Sequence, residues 1–217
     1  MPNQKTSLLL MVACLLGFAS SVAHAQLKPG PQLRPNFVRL EPPRPVPAGD
    51  RIELIEFFYY GCPVCYELQP KLTRWLVNAP ADVVLRRVPA LATASWETFA
   101  RLFYALEALG EIDRLHWPVY DNFHFDNINL SDETVMAEWV GRNGIDRQKF
   151  VEAYGSPEIQ ARVVAAREMV RMYEVKGVPG FVVDGRFLTS AGMAGSTDAL
   201  MPLVDKLIDM ARRERAR

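Results

Sequence analysis

The stretch "RIELIEFFYYGCPVCYELQPKL" constrains the chain more than any other. Its first ten residues, Arg51 to Tyr60, are β-branched and aromatic and read as a buried strand. Cys62 and Cys65 follow at once. Leu68, Leu72, Trp75 and Leu76 then recur at helical spacing and predict a helix through about Asn78. Pro63 suits a first helical position, where its missing N–H costs nothing. A strand, two thiols and a helix in immediate succession leave three chemistries: a metal grip, a haem anchor, or a disulfide that opens and closes.

The N-terminus sets the compartment. "MPNQKTSLLLMVACLLGFASSVAHA" has a charged start at Lys5, an apolar run from Leu8 to Phe18 and small residues leading to Ala23-His24-Ala25. That layout predicts a signal peptide over residues 1–25, cleaved after Ala25, and a periplasmic protein. Lipidation at Cys14 and an uncleaved anchor are the alternatives. Met11 stands where a lipoprotein box usually has Leu, so cleavage is the expectation. Formal net charge is zero over 217 residues, which gives no global field for nucleic acid or an anionic membrane. The basic end "ARRERAR" reads as a frayed, solvated helix end.

Removal of the signal leaves Cys62 and Cys65 as the only cysteines. As a staple the pair is weak, because closing so short a loop removes little chain entropy. Zinc wants about four ligands, and the remaining histidines, His116 and His124, lack the spacing of a finger. An iron–sulfur cluster wants more thiolates, and haem attachment wants His where Tyr66 stands. No metal is expected, although a metal bridging two copies stays open. Redox chemistry has positive support. A sulfur at the helix N-terminus lies beside N–H groups without helical partners and at the positive end of the dipole, which lowers the Cys62 pKa. Cys65, one turn in, is the more shielded thiol.

A proline-rich segment at residues 26–50 is expected to be extended and to pack little, with "FVRL" at Phe37 to Leu40 as a short edge strand. "DVVLRRV" reads as a second strand. From Ser95 to Tyr173 the pattern is helical, with Ser95, Ser131, Asp146 and Ser156 as candidate N-caps and Pro157 at a first helical position. Ile159, Val163, Ala166, Val170 and Tyr173 mark one face of a long helix that Gly177 can end. "GFVVDGRFLTS" predicts a hairpin turning at Asp184-Gly185, and Leu200, Leu203, Val204, Leu207 and Ile208 predict a final amphipathic helix. The order β-α-β, helical block, β-β-α implies one sheet flanked by helices. Val178-Pro179 precedes the hairpin; base rates alone favour a trans bond there.

A CxxC opening a helix after a strand, with a Val-Pro loop before a later strand, resembles the thioredoxin fold. More narrowly, "IEFFYYGCPVCYE", the helical block and "GVPGFVVDGRF" resemble the DsbA-type periplasmic thiol:disulfide oxidoreductases. The implied fold is α/β, thioredoxin-like, with an inserted helical domain: thioredoxin-like parts at 51–94 and 157–217, the insertion at 95–156. The family's redox pair maps onto Cys62 and Cys65, its intervening dipeptide onto Pro63 and Val64, its cis-proline loop onto Val178 and Pro179, and its acidic residue onto Glu56. Alternation leaves Glu56 either solvent-facing or buried, with Arg86 or Arg87 as counter-charge; Glu53 is expected to face solvent.

Much of the family has His where Val64 stands. Val cannot donate a hydrogen bond or carry charge towards Cys62, so the expectation is a less stabilised thiolate and a milder oxidant than the strongly oxidising relatives. Pro70 removes the bond to the Tyr66 carbonyl and is expected to kink the helix.

The resemblance further implies a monomer that uses its own Cys62–Cys65 disulfide without a cofactor. It would oxidise unfolded exported proteins through a mixed disulfide on Cys62 and be reoxidised by a quinone-linked membrane protein of the DsbB type. A reductase or isomerase stays open as an alternative, as does a metal-binding or chaperone module without turnover. The aromatics Trp96, Phe99, Trp117, Tyr120, Phe123 and Phe125 are either a substrate surface or, for most of them, core. His116 and His124, with no thiol nearby in sequence, are expected to be structural.

Overall fold

The computed structural model describes residues 35–216. The expected signal peptide at residues 1–25, with Cys14, and the first part of the proline-rich segment lie outside the described residues. The centre of the fold is β2 (Ile52–Phe58), every residue of which is buried. It runs parallel to β3 (Val83–Pro89) and antiparallel to β4 (Gly180–Val183), and β4 forms a hairpin with β5 (Phe187–Ser190). β1 (Val38–Arg39), the strand expected around Phe37 to Leu40, closes the edge on β5, giving the order β1-β5-β4-β2-β3.

Alternation along β2 feeds two apolar layers. Ile52 and Leu54 pack with Leu68 and Leu72 of α1 (Pro63–Val77) and with Leu200, Val204 and Leu207 of α8 (Thr197–Arg215). Ile55 and Phe57 share the opposite layer with the helices that fall between β3 and β4. Those are α2 (Glu97–Ala108), α3 (Ile112–His124), α4 (Glu133–Arg142), α5 (Arg147–Tyr154) and α6 (Pro157–Met172). The short α7 (Ala191–Ala194) links β5 to α8.

A strand covered on both faces has no solvent side, which overturns the expectation for Glu53. Glu53 is buried and meets the Arg86 guanidinium at 3.0 Å.

Local signals set most boundaries. Asp146 and Ser156 cap α5 and α6 by accepting from the N–H groups of Lys149 and Ile159. The expected cap at Ser131 passes to Asp132, which accepts from Thr134 and Val135, while Ser131 turns to Asn129. Ser95 sits inside a 3₁₀ turn (Ala94–Trp96), and α2 begins at Glu97 without a side-chain cap. α1 continues through Pro70 to Val77, because its apolar face is held against the sheet. α6 ends before Gly177: its last residue is Met172, and Glu174 takes the left-handed conformation at φ 53°.

The proline-rich segment packs more than its composition suggests. Leu40 is buried, and the Leu40 and Arg44 N–H groups bond to the Arg186 and Gly185 carbonyls across the hairpin turn at 2.7 and 2.8 Å. The basic end is not frayed either. α8 runs to Arg215, where Arg212 pairs with Asp82 at 2.7 Å, Glu214 with Arg39 at 2.7 Å and Arg215 with the buried Asp184. Arg212 and Arg215 each find a carboxylate on the body, which ties the end of α8 down.

Candidate active site

Cys62 is the N-cap of α1, with extended backbone (φ −92°, ψ 117°) and its sulfur turned back over the first turn. The Cys65 N–H donates to Cys62 Sγ at 3.4 Å, and the Val178 carbonyl lies 3.7 Å from the same sulfur. Cys62 N–H donates to the Tyr59 carbonyl at 3.0 Å, which fixes the turn leading into the helix. Both cysteines are free thiols, Cys62 half-buried and Cys65 buried.

Their environments drive the two thiols apart. The Cys65 thiol bonding to Cys62 lowers the Cys62 pKa to about 6; partial burial opposes this, and the Cys65 and Val64 N–H groups reinforce it. Cys65 moves the other way. Burial raises its pKa far above the usual thiol range, and the neighbouring Cys62 adds to the rise.

Glu56 lies fully buried in β2. Gln69 Nε2 donates to Oε1 at 2.8 Å and Arg87 Nε donates to Oε2 at 3.1 Å. The counter-charge is therefore Arg87, directly across the parallel ladder, while Arg86 serves Glu53. Burial raises the Glu56 pKa against the pull of Arg87 and Gln69. Its charge also contributes to the rise at Cys65, so the carboxyl lies within electrostatic reach of the recessed thiol.

The Val178–Pro179 peptide is cis and faces the Cys62 sulfur through its Val178 carbonyl. Beside it opens a groove of about 890 Å³. Val64, Val178, Leu40, Leu188 and Met193 give it apolar walls, and Arg44 and Glu174 supply charge. Val64 is 40% exposed and bridges the CxxC turn and this groove.

The aromatics divide. Phe99 and Tyr120 are core, whereas Trp117 is 40% and Phe125 73% exposed. Trp96 stacks on Tyr59 at 3.9 Å, and Phe123 meets Phe99 edge-on. Tyr59 lies flat across the turn because Gly61 has no Cβ; one placed there would fall 2.5 Å from the ring.

His116 and His124, expected to be structural, have partners that the sequence did not reveal. His116 Nδ1 lies 2.8 Å from the Tyr60 hydroxyl, and His124 Nε2 lies 2.7 Å from the Tyr60 carbonyl. Tyr66, next to Cys65, donates to Asp121 at 2.9 Å. The histidines thus reach residues that flank the cysteines. Their eight-residue separation is compatible with one side of α3, but only the fold brings the Tyr60 hydroxyl and carbonyl to them. Among the described residues no cluster of three or more His, Cys, Asp or Glu side chains could hold a metal ion.

Residues 53–201 match the DSBA-like thioredoxin domain family. The thiol:disulfide interchange protein DsbA of Azotobacter vinelandii is 36% identical over 194 residues, 89% of this chain and 89% of its own. That of Bordetella pertussis is 35% identical over 205 residues, 94% of this chain and 96% of its own. The crystal structure of Pseudomonas aeruginosa DsbA matches with a TM-score of 0.79 at 34% identity, covering 84% of this chain and 95% of the other.

Proposed function

The chain belongs to the DSBA-like thioredoxin family and is a protein thiol:disulfide oxidoreductase, and on that premise we propose that Cys62 and Cys65 form the disulfide it donates to newly exported proteins. A substrate thiolate attacks Cys62 Sγ; the S–S bond breaks and Cys65 leaves with the electron pair. Cys65 takes up a proton, in keeping with its raised pKa. A second substrate thiolate then attacks the substrate sulfur of the mixed disulfide, and Cys62 departs as a thiolate. The substrate has lost two electrons and formed a disulfide; the enzyme holds one thiolate and one thiol. Low leaving-group pKa speeds the last step.

The observation that carries this reading is the placement of the two sulfurs, Cys62 at the helix N-cap with the Cys65 N–H 3.4 Å from its Sγ and Cys65 buried, which lowers the first pKa to about 6 and raises the second. Pro63 supports the cap by starting the helix. The loop at Val178 and Pro179 offers backbone beside Cys62 for an extended substrate, with the adjoining groove for its side chains. Glu56, within electrostatic reach of Cys65, tunes that thiol and relays protons to it. The redox centre is the disulfide itself, without a bound cofactor.

The same reading takes residues 1–25 as a cleaved signal, residues 95–156 as a helical cap inserted between thioredoxin-like parts at 51–94 and 157–217, and the protein as a periplasmic monomer. No helix among the described residues is long and apolar enough to cross a membrane. Reoxidation falls to a quinone-linked membrane protein of the DsbB type.

Oxidative refolding of a reduced substrate tests the assignment. Cys62→Ser is expected to abolish turnover and Cys65→Ser to accumulate substrate adducts; free turnover by either variant overturns it. The equilibrium with glutathione separates an oxidant from a reductase or isomerase.

A further inference from the structure

We infer that His124 is a positioning residue for Cys62, acting through Tyr60 and Tyr66, the residues that bracket the CxxC turn. The inference rests on the oxidoreductase reading above and adds to it a role for the helical block. α3 presents His116, Trp117, Asp121 and His124 on one face, and all four meet those two tyrosines. A carbonyl oxygen can only accept, so the 2.7 Å contact makes His124 Nε2–H the donor to Tyr60 O. Among the described residues no backbone N–H bonds to that carbonyl, so the imidazole supplies the partner it would otherwise lack. The Tyr60 hydroxyl is held by His116 at 2.8 Å. On the far side of the cysteines, the Tyr66 ring stacks with His124 at 5.0 Å and Trp117 at 5.3 Å, and its hydroxyl bonds to Asp121 at 2.9 Å.

The consequence lies in how the sulfur is stabilised. The Cys65 N–H reaches Cys62 Sγ over 3.4 Å, a contact whose strength depends on the angle at which the N-cap side chain is held. That angle follows from the turn at residues 59–62, fixed at one end by Cys62 N–H on the Tyr59 carbonyl. His124 fixes the intervening Tyr60 peptide from a separate element. Without its N–H the turn gains freedom, the helix N–H groups are aimed less well, and the thiolate loses preorganised stabilisation. Less thiolate stabilisation favours the disulfide, so the enzyme becomes a weaker oxidant.

The test compares wild type with His124→Phe, which keeps a flat ring for Tyr66 but loses the donor, and His124→Gln, which restores an N–H donor without the ring. Trp139→Phe removes an indole bond to Asn122 of α3 (2.5 Å) that does not reach either tyrosine, and so controls for simple loss of stability. The readouts are the equilibrium constant with glutathione and the pH of half-alkylation of Cys62. A hydrogen bond of ordinary net strength predicts that His124→Phe shifts the equilibrium roughly three- to tenfold towards the disulfide and raises the half-alkylation pH. His124→Gln should recover most of the shift, and Trp139→Phe should lower stability with both readouts unmoved. Should His124→Phe not fold, Tyr66→Phe, which loses only the Asp121 bond, is expected to move both readouts in the same direction by less. Wild-type values in His124→Phe, no recovery in His124→Gln, or an equal shift in Trp139→Phe overturns the inference. A wild-type protein inert towards glutathione removes the oxidoreductase reading instead, so the two failures are distinguishable.

Discussion

Cys62 and Cys65 carry the same side chain three positions apart, and only their surroundings separate them. The first ends its chain of peptide dipoles at an N-cap; the second lies beneath it among apolar side chains. Alkylation of the reduced protein should therefore follow one titration with a midpoint near pH 6, and Cys65 should stay unmodified until the protein is unfolded. Mass spectrometry of each cysteine across pH 4 to 9 checks this, and equal labelling of both would contradict it. Val64 supplies the second prediction at this scale. It is exposed at the first turn, where a histidine would bring charge and a donor towards the sulfur. Val64→His should shift the glutathione equilibrium about two- to fivefold towards the dithiol, the range of a partly exposed charge pair. An unchanged or opposite shift would mean that the dipeptide does not tune this pair. Glu53 and Glu56 show the limit of residue-level inference: both lie on a strand whose two faces are covered, so alternation could not tell buried from exposed.

Elements whose signals are local were legible in the sequence. β2 and α1 follow from one apolar run and one apolar stripe, and the hairpin from Asp184-Gly185, which adopt φ 54° and 63° as a tight turn demands. Gly185 also shows what was not legible. A Cβ there would fall 2.1 Å from the Arg44 carbonyl, because the segment ahead of β2 crosses the turn. Gly185→Ala should thus cost about 2 kcal/mol or more, combining positive-φ strain with the displaced segment; urea unfolding measures it, and a loss below about 0.5 kcal/mol would show that the segment yields freely. The same non-local cause explains the arginines of α8. Their composition reads as a solvated end, and only the fold brings Asp82 and Asp184 within reach. His116 and His124 belong here too. Their shared helix face was readable, but the tyrosines they meet are set by how α3 lies against the end of β2.

For the molecule as a whole, the ionisation of one thiol ties redox state to stability. In the dithiol form, the Cys62 pKa falls from 9.0 to about 6 on folding. A depressed acid stabilises the folded state fully above the unfolded value, and that stabilisation is lost as pH falls through 6. The disulfide form has no such group. Cys65, raised on folding, weakens the dithiol form only as pH climbs past the ordinary thiol range, outside this window. Glu53 and Glu56, both raised, lower stability as pH rises above the ordinary carboxylate range. They are present in both redox forms and cancel from the difference to first order. The stability of the dithiol form relative to the disulfide form should therefore rise between pH 6 and 9 and flatten below 6. Guanidinium unfolding of both forms at pH 5 and pH 8 measures it. The ring closed by the disulfide is too short to restrict the unfolded chain much, so it does not mask the trend. A dithiol form that gains nothing with pH would mean that the folded Cys62 sulfur is no better stabilised as an anion than the unfolded one. The protein would then lack the free-energy difference by which its disulfide passes to another chain.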